Sequence, residues 1–246
     1  MAGFRTHIAV STTLGVGYGA AGVFILPAAN GGELPLATCA LAAGLCSVSG
    51  MLPDLDSDSG VPIRETMSLA AAVVPMLLMR RFARLGLSHE AMVLAGAAVY
   101  LFVRFGLGTL LKRYTVHRGM FHSIPAAAIA GILAFLLCQS SDLTDRYYKA
   151  GAVVVGFMSH LILDEIWAVD MRLGKMRLKQ SFGTALKFWG ESTWANVSTY
   201  AKLLLLLALA WQDPVWTQDP NMQVIQGQQA PSTPNMAVEK VKSWWR

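Results

Sequence analysis

Residues 147–169 read YYKAGAVVVGFMSHLILDEIWAV, and this stretch decides which class of fold the chain adopts. Most of it is apolar, and about 20 apolar residues are enough for a helix to cross a bilayer. Its second half nevertheless contains His160, Asp164 and Glu165. A charged group at membrane depth costs about 2.5–3.5 kcal/mol on insertion scales, which points to a function. Because His160 and Asp164 are four residues apart, a helix places them on one face, where they could bind one metal ion or form a structural hydrogen bond.

The composition of the whole chain indicates that a bilayer is its solvent. Of the 246 residues, 54% are hydrophobic and 14% are charged, whereas soluble domains have about 25% charged residues. Seven apolar segments follow one another, at residues 8–26, 36–52, 66–79, 91–111, 123–139, 147–169 and 200–211. We therefore predict an all-α fold, a polytopic helical membrane protein with six to seven hydrophobic helices. The net charge of +5 comes from Lys and Arg between apolar runs, so no nucleic-acid partner is expected.

Four polar motifs lie at or near the ends of these apolar segments. His7 begins the first segment, residues 53–58 (PDLDSD) end the second, residues 117–123 (HRGMFHS) begin the fifth, and residues 159–165 (SHLILDE) lie in the second half of the sixth. Two membrane crossings separate each motif from the next. All four therefore face the same side of the membrane, whichever way the chain inserts, and this common position predicts one shared site.

The residue types in these motifs are those of a transition-metal site. Carboxylates together with imidazoles suit Zn²⁺, Mn²⁺ or Fe, and zinc is the ion we favour. In an extended segment, the alternating residues Asp54 and Asp56 would point the same way. The predicted metal ligands are His7, Asp54, Asp56, His122, His160 and Asp164.

Three further residues are candidates for catalysis beside the metal. His117 could act as an acid or base or support a ligand, and Glu165 is a weaker candidate of the same kind. Arg118 could bind a phosphate or carboxylate, although it could equally be a topology-determining charge on the inner side of the membrane.

A calcium loop is the main competing interpretation of the acidic motif. Asp54, Asp56 and Asp58 occupy positions 1, 3 and 5 of such a loop, and Glu65 falls at position 12. Position 6 must be glycine for the sharp turn, but this chain has Ser59 there. The transition-metal interpretation is therefore preferred, and a solvated acidic turn is the simplest alternative.

Taken together, the four motifs resemble the YdjM-like family of bacterial inner-membrane proteins, described as LexA-regulated, membrane-bound, metal-dependent hydrolases. The resemblance rests on His7, Pro53-Asp54-Leu55-Asp56, the His117 to Ser123 turn and the Ser159 to Asp164 helix, and it covers residues 1–170. It implies a multi-pass protein of the inner membrane with hydrolase activity. A weaker similarity, in ligand types and helix spacing, to zinc-dependent phospholipase C implies a phosphoester substrate in a phospholipid or lipid-linked compound.

The expected organisation follows from the segments and the charges. We predict a membrane-embedded helical domain over residues 1–190 with its metal site at the cytoplasmic face, a short hydrophobic or interfacial helix over 191–211, and a polar, poorly ordered tail over 212–246. A cytoplasmic N-terminus places more Lys and Arg inside than outside. A metal or proton transporter, or a membrane scaffold with a structural metal, stays open beside the hydrolase. Membrane lipids are the expected partners.

Overall fold

The computed structural model describes residues 3–24, 35–56, 61–107, 109, 120–138, 140, 142–172, 175–178 and 186–213. The chain divides into two units, Met1–Trp211 and Gln212–Arg246, and all the elements below belong to the first. The α-helices are α1 (Phe4–Phe24), α2 (Leu36–Ser49), α3 (Val61–Arg84), α4 (His89–Leu101), α5 (Ile124–Leu137), α6 (Leu143–Ala168) and α7 (Thr193–Trp211). A 3₁₀ helix covers Pro53–Asp56, a π-helix covers Phe102–Leu107, and two strands follow α6, β1 (Val169–Arg172) and β2 (Lys175–Leu178).

The helical class predicted from the sequence is confirmed, with one short hairpin added to it. Strands β1 and β2 pair antiparallel, with Val169 opposite Leu178 and Arg172 opposite Lys175. Among the described residues, four helices are long and apolar enough to cross a membrane, at Arg64–Arg84, His89–Leu107, Leu143–Ala168 and Thr193–Trp211. Helices α2 and α5 are apolar but shorter.

Helix α6 is the centre of the helix packing, because it contacts α1, α2 and α5. Helix α1 packs along α2, helix α7 packs on α5, and α3 pairs with α4. Gly86, with a φ of 72°, makes the turn between α3 and α4. A positive φ strains any side chain other than glycine, so the residue suits this position.

The contact between α1 and α2 is close because one face of α1 carries small residues. Its buried residues are His7, Ser11, Gly15, Gly19 and Gly22. A methyl group added at Gly19 would come within 2.9 Å of a backbone carbonyl oxygen of α2. Small residues let membrane helices approach in this way, and here the face that they form leads directly to His7.

The first turns of α6 show how the bundle accommodates charge far from the predicted site. Lys149 donates a hydrogen bond of 2.9 Å to Asp145 within the helix, and both side chains are largely buried. Arg146 is fully buried, donates to the Phe135 carbonyl oxygen at 2.9 Å and lies 4.1 Å from the centre of the Phe135 ring. These partners explain why the helix begins at Leu143, before the apolar segment that the sequence outlines.

Candidate metal centre

His7 is presented to the site by the small-residue face of α1. Its imidazole is buried and stacks on the His160 ring, with centroids 3.7 Å apart and planes inclined by 15°. Its Nε2 lies 3.3 Å from Oδ1 of Asp164. The start of α1 is thereby joined to the second half of α6, as the motif positions predicted.

Helix α6 contributes His160 and Asp164 from one face, one turn apart. His160 is fully buried, and its Nδ1 lies 2.7 Å from the Gly50 carbonyl oxygen. A carbonyl only accepts, so Nδ1 carries a proton and donates; in a neutral ring this leaves the lone pair on Nε2. Nε2 is buried and has no hydrogen-bond partner among the described residues; it lies 3.5 Å from Asp54 Oδ1 and 3.6 Å from Asp164 Oδ2. A backbone acceptor behind the ring is how proteins orient metal-binding histidines.

The turn after α2 brings in Asp54, whose side chain is 23% exposed and is the most accessible of the group. Burial raises the pKa of the Asp54 carboxyl, but the neighbouring imidazoles of His122 and His160 outweigh burial and hold that pKa well below its ordinary value. Asp54 is therefore a carboxylate at neutral pH.

The extended conformation predicted for the acidic motif is wrong, because Pro53–Asp56 is a 3₁₀ helix. Successive residues of such a helix rotate by about 120°, so alternation does not give Asp54 and Asp56 a common direction.

His122 reaches the site from the beginning of α5. The Ser123 side chain caps that helix by accepting from the Ala126 N–H, and Pro125 follows in the first turn, as the sequence predicted for a helix start. His122 is buried, with Nε2 3.7 Å from Asp54 Oδ1 and 3.8 Å from Asp164 Oδ2. The helix cap therefore fixes the chain immediately after His122.

Apart from the 3.3 Å contact of His7 with Asp164, the spacing of these atoms fits metal coordination better than direct hydrogen bonding. The imidazole nitrogens and carboxylate oxygens are 3.3–3.8 Å apart. Two ligand atoms at 2.0–2.1 Å from a tetrahedral zinc ion are separated by about 3.4 Å. Two overlapping sets of side chains could each hold an ion, one of His7, Asp54 and His160 and the other of His122, His160 and Asp164. The two carboxylates also balance the charge of one divalent ion.

The structure brings together five of the six side chains predicted as ligands. The sixth, Asp56, ends the 3₁₀ helix, and its side chain lies outside the described part of the chain, as do His117 and Arg118. Glu165 is half-buried and belongs to neither set of side chains. Glu65, needed for a calcium loop, is exposed and pairs with Arg64 at 3.2 Å.

Sequence reasoning missed Gly50, which supplies the carbonyl behind His160. A backbone acceptor leaves no side-chain pattern to detect. The only signal was indirect: a glycine stands at the end of an apolar segment, just before the acidic motif.

Comparison with known proteins places the chain in a family. No curated protein and no solved structure matches it significantly. A family model described as YdjM inner membrane protein matches residues 1–213, a range that includes all four polar motifs. The family description and the long apolar helices agree that this is a membrane protein. The chain belongs to the YdjM inner membrane protein family.

Proposed function

We propose that this chain is a membrane-bound, metal-dependent hydrolase. One observation carries the proposal: three imidazoles and two carboxylates from four separate segments converge on one buried place. Gathering five such groups away from water is costly unless they are paired or coordinate a metal. A divalent transition metal, zinc above all, is the partner that suits both ligand types.

Each side chain then has a definite task. His160 and Asp164 would hold the ion from α6, with the Gly50 carbonyl orienting the His160 ring, and His7, His122 and Asp54 would supply further ligands. A bound divalent ion supplies Lewis acidity and lowers the pKa of water. Since Asp54 is the most exposed of the five, substrate and water approach from its side.

The proposed substrate is a phosphoester of a phospholipid or a lipid-linked compound. The site is built into helices of a membrane protein, so a substrate anchored in the bilayer reaches it without leaving the lipid. His117 and Arg118 precede His122 by only a few residues, and we assign them to proton transfer and to the phosphate charge, respectively. Glu165 is proposed as a second proton-transfer group.

For the membrane arrangement, we propose six or seven crossings in the bacterial inner membrane, with a cytoplasmic N-terminus and the metal centre on the same side. Helices α2 and α5 have 14 residues each, about 21 Å of helix, against a hydrocarbon core of about 30 Å. Both end or begin at the centre, so the proposal places the centre slightly inside the membrane surface. Helix α6 continues for about 12 Å beyond His160, toward the water.

A transporter would need polar groups along a path through the bilayer. In the part of the chain that the structure describes, both sets of side chains able to hold a metal lie at this single place. The α1 face below His7 continues with Ser11 and glycines, which provide close packing and no metal ligands. This distribution favours an active site at one membrane face over a transport pathway.

The test is hydrolysis by the purified protein in detergent, loaded with zinc. We would assay a water-soluble phosphodiester, a phosphomonoester and short-chain phospholipids. Wild-type protein is expected to release product, and His160→Ala and Asp54→Asn to lose at least about 100-fold in rate, in the range known for loss of one catalytic electrostatic group. His89→Ala is the matched control, because His89 is exposed at the start of α4. Zinc-loaded wild-type protein that hydrolyses none of these compounds, yet moves zinc into vesicles, would establish transport instead.

A further inference from the structure

The stacking of two histidines limits how many metal ions the centre can hold. An imidazole nitrogen binds a metal along its lone pair, which lies in the plane of the ring. The rings of His7 and His160 are 3.7 Å apart and nearly parallel, at 15°. A single ion midway between them, about 2.05 Å from each nitrogen, would stand roughly 60° out of both ring planes. Both rings can bind in plane only if each has an ion of its own.

Asp164 is arranged to serve two ions at once. Its Oδ1 is 3.3 Å from His7 Nε2, and its Oδ2 is 3.6 Å from His160 Nε2. Each carboxylate oxygen therefore faces a different member of the stacked pair. The 3.7 Å ring spacing also matches the separation of about 3.5–4 Å between the ions of two-metal sites.

We propose that the centre binds two divalent ions bridged by the Asp164 carboxylate, an inference that rests on the proposed metal-dependent function. The first ion lies between His7 Nε2 and Asp164 Oδ1. The second ion lies among His160 Nε2, His122 Nε2, Asp54 Oδ1 and Asp164 Oδ2. Two groups of side chains able to hold an ion, one that includes His7 and one that includes His122, overlap at His160, so two positions for a metal lie next to each other.

The two proposed ions differ in how many coordination positions they leave free for water and substrate. The second has four protein ligands, whereas the first has two among the described residues and keeps positions for water and substrate. Two divalent ions carry a charge of +4, and the two carboxylates of Asp54 and Asp164 reduce it to +2, so the centre attracts an anion. Paired ions at this spacing stabilise both the attacking and the leaving oxygen of a phosphoryl group. The substrate class that fits is a phosphate ester, with the phosphate spanning the two ions.

Metal stoichiometry tests the proposal without an activity assay. The full chain in detergent is stripped, loaded with Zn²⁺ or Mn²⁺ and analysed for metal; the manganese form is also examined by electron paramagnetic resonance. We expect two ions per chain and the spectrum of an exchange-coupled manganese pair. His7→Phe keeps a ring that can stack on His160 but has no lone pair, so it is expected to hold one ion with an uncoupled spectrum. His89→Ala is expected to keep two coupled ions.

Each other outcome has a separate meaning. One ion per chain at saturating metal in folded wild-type protein would overturn the two-ion centre and leave a one-metal hydrolase possible. No ion at all would overturn the proposed function as well. If His7→Phe melts like wild type but loses both ions, His7 and His160 share one ion and the proposal is wrong. If it fails to fold, His7→Gln replaces it, with the same expectation of one ion.

Discussion

A methyl group added at Gly50 tests whether the backbone behind His160 controls the proposed metal centre. Gly50 has φ −64° and ψ −10°, so alanine fits its backbone conformation, and the cost of Gly50→Ala is steric. The new Cβ would collide with Cβ of Ser11 and lie 2.6 Å from its Oγ. Overpacking of this kind costs about 1–3 kcal/mol. Since α1 and the end of α2 must separate to relieve it, the Gly50 carbonyl oxygen moves away from His160 Nδ1.

The expected result is a weaker metal site. Loss of an outer partner of a metal-binding histidine lowers affinity about 10–100-fold, which corresponds to about 1.4–2.8 kcal/mol. Zinc affinity would be measured by competition with a chromophoric chelator, and the melting temperature would be recorded on the same samples. Gly44→Ala is the matched control, because a Cβ at that position of α2 meets nothing within 4 Å.

A second substitution distinguishes the effect of moving the Gly50 carbonyl from a general loss of stability. Ser11→Gly in the Gly50→Ala background removes the colliding atoms, at the cost of the hydrogen bond from Ser11 Oγ to the Ser47 carbonyl oxygen. Zinc affinity is expected to recover even if stability stays lower. The reasoning would be refuted if Gly50→Ala lowered the melting temperature but bound zinc as tightly as wild type.

Three other predictions address the ligands, the packing and the topology. His160→Ala and Asp164→Ala should each remove most of the metal, and the double variant should add little, since ligands of one site are not additive; full metal in Asp164→Ala would contradict the site. Tyr148→Phe removes a 2.6 Å hydrogen bond to a carbonyl of α1 and should cost about 1 kcal/mol in thermal stability with metal content unchanged. Single cysteines at Thr6 and Phe121, which are both partly exposed, should be labelled from the cytoplasmic side only; labelling from opposite sides would separate His7 from His122.

Much of the fold could be predicted because apolar runs report directly on membrane helices. Residues 8–26 became α1 (Phe4–Phe24), and the helix start at Ser123 was recognised from its serine and proline. The length of a helix with charged residues at its end was underestimated. The sequence outlined 147–169, but α6 begins at Leu143, because Asp145 pairs with Lys149 and Arg146 finds a carbonyl and a ring. Such partners lie elsewhere in the structure or across a helical turn, and a count of apolar residues does not include them.

The convergence of His7, Asp54, His122, His160 and Asp164 could also be anticipated, since the predicted crossings put the four motifs on one side and require no knowledge of packing. The local geometry of the acidic turn and of the two stacked histidines could not be anticipated. The acidic turn was expected to be extended, but its first residues continue from α2 as a 3₁₀ helix. The stacking of His7 on His160 and the Gly50 acceptor depend on how closely the helices approach, which no spacing in the sequence encodes.

The glycine-lined face of α1 connects the packing of α1 on α2 with the position of the His7 imidazole. Gly19 lies about 18 Å along the helix from His7 and touches the backbone of α2. A rigid helix transmits a shift at one end to the other, so a bulky residue at Gly19 displaces the His7 imidazole by a lever motion. Metal release from the proposed centre would then report how tightly α1 and α2 pack several turns away. With a chromophoric chelator, that release would measure how closely the two helices associate.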